Sequence, residues 1–164
     1  MHSIAIRSGA ARRRVWLIGV MLLIGAAGGA RANGMQPIVH ARQEHFRSLG
    51  RAVKSLRGEV RRSHPDWAVV KSDSHRIESL ASALPRWFPA GSGKARGIRT
   101  KARAAIWSHP RAFARAAQML LSRAQQLTLA ADNQDVRALA LRTRRLGQAC
   151  AGCHRRFRAH SSWW

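Results

Sequence analysis

Acidic side chains are scarce in this 164-residue chain: seven Asp and Glu stand against thirty Lys and Arg, a formal net charge of +23. With so few carboxylates, thinly spread, no pair suggests general acid–base catalysis. No nucleophile–base arrangement stands out either, so the chain is not expected to be an enzyme. Cysteine is scarcer still. With two in all, a structural zinc site would have to draw its remaining ligands from distant histidines. Long apolar runs are limited to one, Val15 to Ala30, shorter than the roughly 18–20 residues of a membrane-spanning helix. No internal repeat or low-complexity block appears, and the length fits one domain with a real core.

That single apolar run follows Arg12-Arg13-Arg14 and ends in Ala30-Arg31-Ala32. A basic stretch, an apolar stretch and an A-x-A site form the layout of a secretory signal peptide, here residues 1–32. The mature domain, 33–164, is then expected in the periplasm with no transmembrane anchor. Arg12-Arg13 before Val15-Trp16-Leu17 is a faint twin-arginine pattern, but the general secretory route suits the cofactor argued next. Cleavage removes Arg7, Arg12, Arg13, Arg14 and Arg31 and no acid, leaving a charge of +18. A pI near 12.0 first suggests nucleic acid. Export, scattered basic residues and the lack of a recognition motif argue against that partner. An acidic periplasmic redox partner or an anionic membrane surface fits better, beside the plain reading of a solvated basic surface.

The two cysteines lie together in Cys150-Ala151-Gly152-Cys153-His154. C-x-x-C-H is the attachment signature of a c-type haem. Each thiol adds to a haem vinyl group, and the adjacent imidazole becomes an axial ligand of the iron. One covalent haem c per chain is expected, with His154 on the metal. A redox dithiol would want a βαβ context, and nothing near Cys150 reads as a strand. Half of a zinc site or a simple disulfide are the other readings. Haem c is attached after export of an unfolded chain, which agrees with the signal.

Four helical stretches are predicted and no strand. The first runs from about Pro37 to Arg62, with Val39, Phe46, Leu49, Val53, Leu56 and Val60 on one face. His64-Pro65-Asp66 breaks it. A shorter helix follows Ser72 and carries Ile77, Leu80, Ala81 and Leu84 up to Pro85. After a loop with Pro89, Gly91, Gly93 and Gly97, the third begins near Pro110 and shows Phe113, Ala117, Leu120, Ala124, Leu127 and Ala131. Asp135 is a candidate N-cap for the fourth, which aligns Val136, Leu139, Thr143, Leu146, Cys150, His154 and Phe157. The expected fold is all-α, an antiparallel four-helix bundle with haem near the C-terminal end of its last helix.

These residues resemble the class II cytochromes c, the cytochrome c prime family. The likeness rests on Cys150 to His154 continuing into Phe157-Arg158, on Leu84-Pro85-Arg86-Trp87-Phe88-Pro89-Ala90-Gly91-Ser92, and on Thr100-Lys101-Ala102 through Ala105-Ile106-Trp107 to Phe113. The resemblance implies that Arg42 lies near the haem propionates and that the residue one turn later, in Arg42-Gln43-Glu44-His45-Phe46, faces the distal side of the iron. Low-spin members carry methionine there; Phe46 has no lone pair to donate. The mature chain's methionines, Met35 and Met119, do not match that position. The resemblance therefore favours a five-coordinate, high-spin iron binding small diatomics such as nitric oxide or carbon monoxide, with electron transfer as a second role. Phe88 and Trp87 are candidates to line the crevice, Gln43 to border it, and Arg158 to stand beside the proximal ligand. His45 is the alternative sixth ligand, but neighbours on a helix point about 100° apart, so His45 and Phe46 cannot both face the iron. His40, His64, His75, His109 and His160 are expected on the surface. Family members are often dimers through their first two helices, and a homodimer is expected here although a charge of +18 opposes self-association at low salt.

Overall fold

In the computed structural model, residues 27–94 and 98–159 are described, with side chains from Gly34 onward. Four long helices form the fold: α1 (Ala27–Glu59), α2 (Trp67–Ala83), α4 (Pro110–Asp132) and α5 (Val136–Phe157); a single turn, α3 (Ala105–Ser108), precedes α4. Among the described residues there is no strand, only an isolated antiparallel bridge between Ala102 and Arg158. No helix there is long and apolar enough to cross a membrane.

The boundaries show where local chemistry acts. Helix α1 begins before the expected Pro37, which sits inside it, and ends at Glu59 short of Arg62. It runs across the Ala32–Asn33 junction; the basic and apolar stretches upstream lie outside the described residues, apart from Ala27–Ala32. Helix α2 starts five residues ahead of Ser72, because Asp66 caps it by accepting from the N–H groups of Ala68 and Val69 at 2.9 and 3.3 Å. His64-Pro65-Asp66 therefore ends one helix and starts the next. A 3-10 turn, Leu84–Trp87, follows with Pro85 in its first positions. The cap of α5 is as expected: Asp135 accepts from Ala138 N–H at 2.9 Å.

The apolar stripe on α4 is buried throughout, Phe113 to Ala131, and Ala117, Ala124 and Ala131 recur every seventh residue, allowing close helix approach. Leu56, Val70, Ile77, Leu127, Leu139 and Leu146 meet it in the core. Val136 departs from its expected place on the inner face of α5: it is 52% exposed. As the first residue of its helix it projects at the tip of the bundle, beside the turn. The helices pack in sequence, α1 on α2, α2 on α4, α4 on α5, while α1 and α5 have no comparable contact. That unclosed side positions the site.

Candidate functional site

A crevice of about 650 Å³ opens between α1 and α5. Its walls are Phe46, Leu49 and Val53 from α1, Leu84 and Phe88 from the start of the long loop, Ile106, Phe113 and Leu120, and Cys150, Cys153, His154 and Phe157 from α5. Positions three and four apart share a helix face, so the cysteines and the histidine present themselves together. His154 lies in the last turn of α5 with Arg155 and Arg156, where cations complement the helix dipole.

Burial pushes the Cys150 thiol up from its ordinary pKa, partly offset by the nearby Arg57 charge; burial and then Cys150 do the same to Cys153. No disulfide joins them, and a setting that raises thiol pKa is unlike that of the low-pKa cysteines of redox dithiols. Partial burial, and then the Arg158 charge, hold His154 below the usual imidazole range. A neutral ring keeps a lone pair for a metal. No cluster of three or more His, Cys, Asp or Glu side chains suited to a bare metal ion forms among the described residues.

The aromatic residues form a continuous run. Phe46 meets Trp87 and Phe88 edge-on at 5.2 and 6.1 Å, Phe88 meets Phe113 at 5.0 Å, and Phe113 meets Phe157 at 5.3 Å. The wall facing the crevice thus connects α1 to α5 through the loop and α4. Trp87 is buried behind Phe46 and does not line the cavity. His45 stacks on Trp87 at 4.8 Å and does not line it either.

Arg42 does line it, yet its guanidinium serves the loop. It donates to Trp87 O (3.3 Å), Ser92 Oγ (2.9 Å), Ser92 O (2.9 Å) and Thr100 Oγ1 (3.0 Å), and lies 4.6 Å over the Phe88 ring. Gln43 donates to Arg99 O at 2.9 Å. At the other end, Arg103 N–H donates to Phe157 O (2.9 Å) and Ala159 N–H to Lys101 O (2.8 Å). These bonds tie the segment after α5 to the loop, so Lys101 and Arg158 stand together on the crevice rim with Arg47. Sequence reasoning missed Lys101, Thr100 and Arg47: loop residues carry no periodicity, and Arg47 reads as an ordinary exposed base. Phe113 and Phe157 were visible as core positions and as parts of the family likeness, not as walls of the site. His40, His64, His75 and His109 are exposed as expected; His160 lies outside the described residues.

The family model described as cytochrome c' matches residues 37–158, which takes in α1 from Pro37 onward, the other three long helices and the crevice. The chain belongs to the cytochrome c' family. It is 37% identical over 126 residues to the cytochrome c' of Rhodospirillum rubrum, covering 74% of this chain and 77% of that one. Among solved structures, cytochrome c' from Thermochromatium tepidum superposes with a TM-score of 0.71 at 18% identity, covering 77% of this chain and 97% of that one. A single-substitution variant of cytochrome c prime from Alcaligenes xylosoxidans, complexed with nitric oxide, gives 0.67 at 23% identity, with 76% and 96% covered. The last two show the fold.

Cytochromes c' carry covalently bound haem c, and the residues of this chain fit it. Two thiols and an imidazole share one face, an apolar cavity lies against them, and its rim is basic. Arg42 is 3% exposed and has no ion pair with any carboxylate among the described residues. A haem propionate would supply the anion that this buried guanidinium otherwise lacks.

Proposed function

We propose that the protein is an exported cytochrome c' whose haem is held by thioethers to Cys150 and Cys153 and by His154 as axial ligand, and that it binds nitric oxide or carbon monoxide, with electron transfer as a second role. A covalent haem held by Cys150, Cys153 and His154 would supply a redox-active iron able to take a diatomic ligand. The observation that carries the reading is the composition of the crevice: among the described residues, no methionine and no histidine other than His154 line it. Phe46 crowds the side that faces α1. Leu49, Val53, Leu84 and Leu120 offer no hydrogen-bond donor, and the donors of Arg42 and Gln43 are committed to the loop. A wall of this kind does little to hold dioxygen, whose bound form needs hydrogen bonding, and favours neutral diatomics. The nitric oxide complex of the Alcaligenes relative supports the same ligand class.

The test is the absorption spectrum of the ferrous holoprotein with and without carbon monoxide. A broad band that shifts on gas addition is expected; sharp split bands indifferent to carbon monoxide would mean a sixth protein ligand and a plain low-spin carrier.

Export to the periplasm is part of the proposal, supported by the basic–apolar–A-x-A leader and by a cofactor attached outside the cytoplasm. Mass spectrometry of the mature chain should find Asn33 as its first residue. Charge points to an acidic redox partner. No acid occurs from Ser79 to Ala131 or from Val136 to the end, segments that supply the loop and the motif-bearing half of α5. A partner docking near the haem therefore meets almost undiluted positive potential. Self-association through the first two helices remains part of the reading, with salt expected to favour it. The roles proposed are binding and electron transfer, not catalysis.

A further inference from the structure

A second depression, about 430 Å³ and open to solvent, lies between the same two helices beyond the crevice, where the end of α1 faces the middle of α5. Arg57 and Arg61 line it from the α1 side, one helical turn apart; Thr143, Arg144, Gly147 and Gln148 line it from α5. None of the three guanidiniums has a hydrogen bond or ion pair among the described residues. The one acid nearby on α1, Glu59, is turned away: its carboxylate accepts from Arg62 (3.1 Å) and from the Asp66 N–H (2.8 Å). Arg57 lies against α5 at Gly147, where a Cβ would stand 3.5 Å from its Nη2, in ordinary van der Waals contact. Thr143, 5% exposed, borders the same groove with a hydroxyl that has no partner, not even the carbonyl one turn back that mid-helix threonines ordinarily use.

We propose that this groove binds a small tetrahedral oxyanion of the phosphate or sulfate class. Three like charges converging on one groove repel one another, and a multiply charged oxyanion between them removes that repulsion while accepting forked guanidinium hydrogen bonds. The Gln148 amide adds a neutral donor on the same wall. The groove uses none of the residues assigned to haem, but it adjoins the motif: Ala151 borders it and the Arg57 charge reaches Cys150.

Isothermal titration of the holoprotein with inorganic phosphate and with pyrophosphate, at low ionic strength and with acetate as the control anion, reads it directly. One saturable site per chain is expected. Arg57→Gln and Arg144→Gln should each weaken it roughly fivefold, while Arg76→Gln on α2, off the groove, leaves it unchanged. Gly147→Leu keeps every charge and fills the groove; it should weaken binding as much as losing an arginine. Binding that never saturates, or that falls equally in Arg76→Gln, overturns the proposal, because it would then report net charge alone. Phosphatidylglycerol vesicles separate the sources: retention weakened by Arg57→Gln more than by Arg76→Gln identifies a lipid headgroup, and equal retention with saturable phosphate binding identifies a free ion.

Discussion

Two arginines of α1 face the gap that α5 leaves open, and their circumstances differ completely. Arg42, beside the crevice, is buried and holds four oxygen acceptors of the loop; Arg57, beside the groove, is exposed and holds none. Around Arg42 the gap is walled by phenylalanine and leucine, around Arg57 by further arginines. An apolar gap of this volume is costly to leave facing water, at about 25 cal/mol per Å² of surface. An arginine-lined gap is hydrated at little cost. One helix pair thus carries a region that depends on its cofactor and a region that does not, and the sharpest tests are those that should disturb one and spare the other.

The largest effect is expected from Cys150→Ser with Cys153→Ser. Without thioether attachment the crevice loses the group that fills it, and the protein should no longer retain haem through acid–acetone extraction. The bundle is expected to lose cooperative thermal unfolding and to bind ANS while keeping much of its helical signal, as bundles without fixed packing do. Sharp unfolding in that variant, by circular dichroism, would show that the crevice closes on itself and that the two regions are less different than their linings imply.

Next comes Arg42→Ala, expected to cost about 3 kcal/mol in denaturant unfolding, since hydrogen bonds to a buried charge are lost and Ser92 and Thr100 are left behind. Arg42→Lys should recover little of it, because an ammonium cannot reproduce the planar fork that reaches Trp87, Ser92 and Thr100 together. This role was only half legible in the sequence. The likeness to a known family placed Arg42 near the haem propionates, and the structure does put it on the crevice, but its partners sit in a loop with no periodicity to betray them. Elsewhere the reverse holds. The six-residue stripe of α4 and the Asp135 cap follow from helical spacing and side-chain chemistry alone, and the structure keeps both. Asp66 was read as part of a break because Pro65 precedes it, although its side chain starts α2. Val136 fits the period of α5 but stands at the tip, where period says nothing about cover.

A smaller effect on stability, and a sharp one on the spectrum, is expected from Phe46→Met. Volume is nearly kept, so the cost should stay below about 1.5 kcal/mol, with loss of the edge contacts to Trp87 and Phe88. The substitution brings a thioether to the wall where the crevice now has none. Split low-spin bands and a weaker response to carbon monoxide are the expected readout; an unchanged spectrum would mean that Phe46 does not face the iron.

The smallest effect should come from Arg57→Gln, and its smallness is the informative part. Arg57 is exposed and has no hydrogen bond or ion pair to lose among the described residues, so the substitution chiefly removes repulsion from Arg61 and Arg144 across the groove. Stability should change by no more than about 0.5 kcal/mol, on the favourable side, and the difference should fade as salt rises. Phosphate at millimolar concentration should stabilise the parent protein more than the variant, because a ligand stabilises only the state that binds it. A cost near that of Arg42→Ala would show that Arg57 holds α1 against α5 as a structural clamp. The groove would then belong to the architecture of the crevice, and the contrast between the two arginines would be one of exposure alone.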